Sequence, residues 1–365
     1  MWPDRRIQDL FGIELPIIQA PMAGSVGSEM VIAVSEAGGL GSLPCAMLTP
    51  EQIRTELGII RQRTSRPINL NFFCHRSPQE DPVRDAAWRQ RLENYFIELG
   101  VDPQAPALGG LRTPFDSERC DLVIEFTPEV ISFHFGLPEQ NLLDRIRATG
   151  AKIISSATSV DEARWLEDRG CDAIIAQGYE AGGHRGMFLS ENITTQAGTM
   201  ALVPQVVDAV KVPVIAAGGI GDTRGIVAAF ALGASAVQMG TAYLFCPEAK
   251  VSSIHRDALR RAKDNNTVLT NVFTGRPARG IVNRLIREVG PMSDLAPEFP
   301  LAAGVIAPIR AIAEATGSGD FSALWSGQAA AVGRELPAGE LTRQLGAEAL
   351  VKLSRLAPVG SSQTA

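Results

Sequence analysis

The sequence predicts an α/β protein, a (β/α)8 TIM barrel with a second, smaller and mostly helical C-terminal domain over the barrel mouth. Three observations predict it. Short apolar runs recur eight times within the first 245 residues. Helix-like segments separate most of them. The remaining stretch, 246–365, lacks the alternation, reads mostly helical and is punctuated by Pro277, Pro291, Pro297, Pro300 and Pro308.

The eight runs are Ile17–Ala20, Leu40–Leu43, Ile68–Phe73, Val130–Phe135, Ile153–Ala157, Ala173–Gln177, Val214–Ala217 and Ala236–Met239. Each is four to six residues long and rich in Val, Ile or Phe, as strands buried on both faces of a parallel sheet are. Repeated strand–helix alternation favours a barrel over the alternative, a doubly wound open sheet. Thr49 and Pro50 start one helix as N-cap and first helical residue. Ser159 and Glu162 read as a capping box before Ala163–Arg169, which Gly170 stops. Asp222 caps an alanine-rich helix over 223–232, and Gly233 ends it. Two connections, 74–129 and 178–211, are long and leave their strands at the C-terminal face, where barrel enzymes carry their chemistry. The barrel is expected over 1–245, completed by a C-terminal helix within 339–365 whose amphipathic part is 339–356. Residues 246–338 are expected to cover the substrate.

Composition narrows the function classes. With 45% hydrophobic and 20% charged residues the chain is globular rather than disordered. Its 34 basic and 40 acidic residues give a net charge of −6 without a basic patch, so neither nucleic acid nor an anionic membrane is an expected partner. Five cysteines, an odd number without a CxxC, argue against a disulfide framework or a zinc site and for a reducing compartment. No signal-like apolar stretch follows the N-terminus, and the run 228–240 is too short to span a bilayer; a cytoplasmic location is the expectation.

Chemistry is expected at three turns. After the seventh run, Ala217-Gly218-Gly219-Ile220-Gly221-Asp222 enters a helix, and after the eighth comes Gln238-Met239-Gly240-Thr241. Glycines let backbone N–H groups approach an anion, and a helix N-terminus favours negative charge, so this pair reads as a phosphate site. After the sixth run, Gln177-Gly178-Tyr179-Glu180-Ala181-Gly182-Gly183-His184 places a histidine in a glycine-rich loop, suited to general-base work near neutrality. His134 lies in the fourth run and points opposite Phe133 and Phe135, toward the mouth. His75 and His255 read as structural or solvated, and the four histidines are too scattered to form a metal triad. After the first run, Gln19-Ala20-Pro21-Met22-Ala23-Gly24 permits a flat ring close to the backbone. Asn71, on the same strand face as Asn69 and nearer the mouth, suits a ring edge or a ribityl hydroxyl.

Taken together, Gln-Ala-Pro-Met-Ala-Gly, Asn-Leu-Asn, Ser-Phe-His-Phe-Gly, Glu-Ala-Gly-Gly-His, Ala-Ala-Gly-Gly-Ile and Gln-Met-Gly-Thr resemble, in order over residues 13–245, the nitronate monooxygenase (2-nitropropane dioxygenase) family of FMN-dependent barrels. The resemblance implies FMN held by Ala20, Pro21, Met22, Asn71, Gln177, Gly182, Gly183, Gly218, Gly219, Gln238, Met239, Gly240 and Thr241. It implies His184 as the active-site histidine and His134 as a second histidine near the flavin, and no metal. The implied reaction is oxidative denitrification of alkyl nitronates with O2, giving an aldehyde or ketone plus nitrite. Neutral nitroalkanes join the substrates where His184 removes the α-proton. One departure stands out. Where bacterial members carry a Tyr-x-x-x-Tyr-x-x-x-Lys motif, this chain has Phe299, Ala303 and Ala307, which makes the pocket more apolar. Arg276 and Arg279 read as solvated surface residues rather than substitutes for that lysine.

The main alternative is an FMN-dependent NAD(P)H reductase, of quinone or enoyl-ACP type, on the same barrel. A Schiff-base aldolase is disfavoured, because Lys152 and Lys211 precede their strands and sit at the wrong face. An IMP-dehydrogenase-like enzyme needs a cysteine where His184 stands. A flavin- or phosphate-binding sensor is the non-enzyme reading, against which two histidines at the mouth and a covering domain argue. Oligomeric state is left open, a homo-oligomer included.

Overall fold

The computed structural model describes residues 1–106 and 112–356. Eleven strands occur among them: β1 Ile17–Gln19, β2 Gly41–Pro44, β3 Ile68–Phe73, β4 Val130–His134, β5 Lys152–Ala157, β6 Ala173–Gln177, β7 Gly183–His184, β8 Val214–Ala217, β9 Ala236–Met239, β10 Thr267–Thr270 and β11 Ala278–Ile281. Eight of them form one parallel sheet in the order β1-β9-β8-β6-β5-β4-β3-β2. The sheet closes on itself where Leu40 donates to Ile17 O and accepts from Gln19 N, both at 3.0 Å. The eight apolar runs are these eight strands, each within one residue at either end.

Period-two alternation divides each strand between two cores. Ile18, Val130, Ile154, Ile175 and Ile215 point into the barrel, whose floor is plugged by Ile7 and Phe11 of the helix Arg6–Phe11. Ile17, Ile131, Ile153, Ile174 and Val214 point outward into the layer beneath the surrounding helices. On one side the interior is polar: Asn69 Nδ2 donates to Ser42 Oγ at 3.0 Å and to Ser132 Oγ at 2.9 Å, while its Oδ1 has no partner among the described residues. The inward residue nearest the C-terminal end of each strand then falls at the mouth.

The expected caps form, with one difference. Thr49 and Gln52 make a full capping box, and Asp222 accepts from Arg224 N. Ser159 accepts from Glu162 N, but the Glu162 carboxylate does not return to the N-cap. It accepts instead from Thr158 N and Oγ1 on one oxygen, and from Phe188 N and Leu189 N on the other. A residue that looks like a local cap thus ties the loop after β6 to its neighbouring helix.

The C-terminal part is helical over Ser253–Arg260, Arg284–Val289, Ala302–Ala315 and Ala338–Leu356, and it also carries a small antiparallel sheet in the order β10-β11-β7. Its apolar core joins Val272, Phe273, Ile306 and Phe321 to Trp88, Leu92 and Phe96 from the helix Pro82–Glu98. That helix lies in the long connection after β3, so two distant segments build one core. Helix Ala338–Leu356 packs against Ser28–Glu36 and Thr223–Ala231 on the outside of the barrel. The rest of the expected 339–365 stretch, 357–365, lies outside the described residues.

Leu345 sits fully buried on that last helix, in the layer around the barrel. Leu345→Ala is expected to lower the unfolding free energy by about 2–4 kcal/mol. Urea denaturation would show this as a lower midpoint at an unchanged slope.

Candidate active site

One cavity opens at the C-terminal ends of the barrel strands. Ala20, Asn71, His134, Ser156, Gln177, Ala217 and Gln238 form its base, and all are inward residues of the strand alternation or its first continuation. Met22, Pro21, Gly182, Gly183, His184, Gly218, Gly219, Gly240 and Thr241 form its walls. Every expected site residue therefore meets here except Met239. Because Gln238 points inward, Met239 must point outward, and it packs, buried, in the layer around the barrel.

The loop carrying His184 is pinned through its backbone. The His184 carbonyl accepts from His134 Nε2 at 3.2 Å and from Gln177 Nε2 at 2.9 Å. Gln177 Oε1 also accepts from Gly186 N at 2.8 Å, so this amide is used at both ends by the loop. Since a carbonyl only accepts, His134 carries its proton on Nε2, and its Nδ1 accepts from Ser156 Oγ at 3.0 Å. Arg185, fully buried, donates to the carbonyls of Gln177 and Gly178 and to Gln196 Oε1.

His184 itself is oriented from the tail. Its Nε2 lies 3.0 Å from Thr274 Oγ1, whose own proton goes to Arg276 O at 3.3 Å. Nε2 is therefore the protonated nitrogen, and Nδ1 keeps its lone pair. The β7–β11 pairing, with His184 opposite Ala278, brings Thr274 into reach. Around the imidazole stand Phe299 at 5.2 Å, Trp325 at 5.5 Å, Phe135 at 6.2 Å and Phe73 at 6.4 Å between ring centroids. Phe135 adopts φ +71°, an uncommon conformation for a bulky residue. Its ring lies under the Arg276 guanidinium at 4.1 Å.

Burial, the nearby Arg112 and then His134, Arg276 and His75 push the His184 pKa well below its ordinary value. Burial likewise pushes His134 down to about 3 and His75 down to about 4. All three rings are neutral at physiological pH.

The two histidines read as structural or solvated are buried, and the expectations for two arginines change. His75 is not solvated; it is buried with its ring 4.8 Å from Phe299, and neither ring nitrogen has a partner among the described residues. His255 is buried at the cavity wall, with Nε2 2.9 Å from Trp325 O. Arg276 and Arg279 are not surface groups. Arg279 is buried and donates to Tyr179 O and Thr267 O, holding the β6 loop against β10. Arg276 donates to Met187 O and packs on Phe135, the tail reaching over that loop. Sequence reasoning also missed Ser156, Thr274, Trp325, Ser326 and Gly327, which no local motif marks.

The glycine turns have the expected freedom for a stated reason. Gly218 has φ +107°, and a Cβ there would lie 3.0 Å from Ala181 N. A Cβ on Gly182 would lie 2.5 Å from Gly327 N, so this position must be bare for the tail loop to pack over it. Gly327 N in turn donates to Thr241 Oγ1 at 2.9 Å.

The neutral histidines make stability pH-dependent with a definite sign. An unfolded imidazole takes up its proton near 6.5, whereas folded His134 does so only near about 3. Between these values the unfolded state binds more protons, so stability falls as pH drops through that window, by up to about 1.4 kcal/mol per pH unit for one ring. Urea melts from about pH 7 to about pH 5 should show the decline, and His134→Gln should lessen it by the share of one ring. An equal slope in both proteins would contradict the assignment.

The comparisons with known proteins match this geometry. The family model described as nitronate monooxygenase matches residues 4–348. A Pseudomonas aeruginosa protein named nitronate monooxygenase is 42% identical over 343 residues, 93% of this chain and 97% of that one. The crystal structure of nitroalkane oxidase from Streptomyces ansochromogenes superposes with a TM-score of 0.85 at 37% identity, covering 95% of this chain and 99% of that one. FabK from Thermotoga maritima has a TM-score of 0.74 at 28% identity, covering 98% and 99% respectively. No helix among the described residues is long and apolar enough to cross a membrane. With its family model matched over nearly the whole chain and the family's motifs gathered at one barrel mouth, the chain is an enzyme and belongs to the nitronate monooxygenase family of flavin-dependent oxidoreductases.

Proposed function

We propose that the enzyme binds FMN in this cavity and oxidises alkyl nitronates with O2 to an aldehyde or ketone plus nitrite. The observation that carries the reading is the convergence of both glycine turns, three amide side chains and His184 on a single cavity. The residues fit the cofactor. Gln238 lines the cavity, and its buried Oε1 has no partner among the described residues, as expected of a group awaiting a ligand donor. Gly218 and Gly219 keep the positive φ values of a tight turn ahead of the helix Thr223–Ala231, where backbone N–H groups would meet the phosphate. In this reading Gly182, Gly183, Gly240 and Thr241 complete the phosphate side, and Ala20, Pro21, Met22, Asn71 and Gln177 border the ring and ribityl chain. Bound FMN would supply the acceptor for the nitronate's electrons.

The protein residues do the rest. Residues 1–245 with the C-terminal helix carry the cofactor, and residues 246–338 cover the substrate. Phe73, Phe135, Phe299 and Trp325 keep water from the reacting carbon. His134 positions His184 through the shared carbonyl. With its Nε2 proton fixed on Thr274, His184 presents Nδ1 to the substrate, as a hydrogen-bond partner or, for a neutral nitroalkane, as the base that removes the α-proton. A small-molecule nitronate and O2 are the partners, and the cytoplasm is the compartment in this reading. The likeness to FabK over nearly the whole chain favours a second reading, a NAD(P)H-dependent reductase on the same scaffold.

The test is the visible spectrum of purified protein during anaerobic addition of a short-chain nitronate, with NADH and NADPH in parallel. Bleaching by nitronate alone supports the oxidation; bleaching only by the nicotinamides moves the enzyme to the reductases. His184→Asn is expected to retain flavin and lose at least about a hundredfold in kcat/KM for neutral nitroalkanes, the scale of a general base. Because the His184 pKa is depressed, the wild-type acid limb should lie below 6.5. Full nitroalkane activity in the variant would sink the base assignment.

A further inference from the structure

We infer that Arg112 is the charge-recognition residue of the substrate chamber, pairing with anionic oxygens of the substrate and making the enzyme select the nitronate anion. The inference rests on the reading of this cavity as the nitronate site.

Arg112 lines the cavity together with His184 and lies with its guanidinium 5.5 Å from the centre of the Phe299 ring. Its Nε is shielded from solvent and has no hydrogen-bond partner among the described residues. The other charged group that it feels is a second cation, Arg310, and both that repulsion and burial press its pKa downward. No carboxylate among the described residues pairs with it. The adjoining residues 107–111 are Ala, Leu, Gly, Gly and Leu, none of them acidic. A guanidinium in such a place is costly, since burial of a charge is offset only by a counter-charge with good hydrogen bonds. Its planar fork of five N–H donors matches two oxygens of one anion, whether nitronate or carboxylate in chemistry.

The surrounding groups leave this task to Arg112. His184, His134 and His75 are neutral and carry no charge to an anion. Arg276 is occupied with Met187 O and the Phe135 ring, and it feels Glu162 and Glu191. Arg185 and Arg279 are spent on backbone carbonyls. The division of labour is then that Arg112 holds the anion while uncharged His184 contacts the reacting end.

The experiment uses the full-length flavin-loaded enzyme, with Arg112→Met and Arg112→Lys. KM for a short-chain nitronate is expected to rise about tenfold or more in Arg112→Met with kcat within about threefold, and Arg112→Lys should recover part of the loss. Nitrate serves as a turnover-independent probe, its binding followed by calorimetry. Wild type should bind it and Arg112→Met should bind it at least about tenfold more weakly. A merely structural arginine would not give lysine rescue together with selective loss of nitrate. Unchanged nitrate affinity in Arg112→Met, or no nitrate binding by wild type, overturns the proposal. If neither wild type nor variant oxidises nitronates, the functional reading and the nitronate selectivity fail together, and the nitrate titration still decides whether Arg112 is the anion-binding residue of the cavity.

Discussion

The carbonyl oxygen of His184 is the point on which the site depends. Two buried donors, one from β4 and one from β6, converge on it. Both are inward residues at the ends of barrel strands, so the barrel's own register sets where the loop runs. Once that oxygen is fixed, the imidazole has few directions left, and Thr274 from the tail selects one of them. The histidine's tautomer thus follows from three segments that are far apart in the chain. Glu162 and Arg185 hold the flanks of the same loop, one with its carboxylate on N–H groups and the other with its guanidinium on C=O groups.

This arrangement separates charge from basicity. A histidine packed among aromatic rings and near arginines has its pKa pushed well below the ordinary value, and that favours the neutral ring with a free lone pair. Positive charge in the chamber has to come from a group that burial cannot neutralise. Guanidinium satisfies that condition, which imidazole and ammonium do not. The aromatic lining strengthens both effects, because it lowers the local dielectric and makes each remaining polar contact count for more.

How much of this could be read from the chain depends on whether the signal was local. The barrel strands were legible because strands buried on both faces are continuous apolar runs bounded by turns. The glycine turns were legible because their conformation demands glycine at fixed offsets. Met239 shows the limit of a motif read as a block, since alternation sends it away from its neighbour Gln238. Glu162 shows another: the spacing Ser-x-x-Glu marked the helix start, but the carboxylate served the backbone of a loop that sequence spacing could not place beside it. Thr274 reaches His184 only because two-residue β7 pairs with β11, and a strand of two residues has no periodicity to detect. Arg276 and Arg279 looked like surface charges because charged residues mostly are; only tertiary packing reveals that they bridge the tail to the β6 loop.

The shared core of helix Pro82–Glu98 and the C-terminal segment has a consequence during synthesis. Trp88, Leu92 and Phe96 leave the ribosome long before Phe273, Ile306 and Phe321, the residues that bury them. Until those arrive, the nascent barrel displays an apolar helix with nothing to cover it. The completed mouth therefore assembles late, and a chain truncated near residue 260 would leave that greasy helix exposed to chaperones or to other copies of itself.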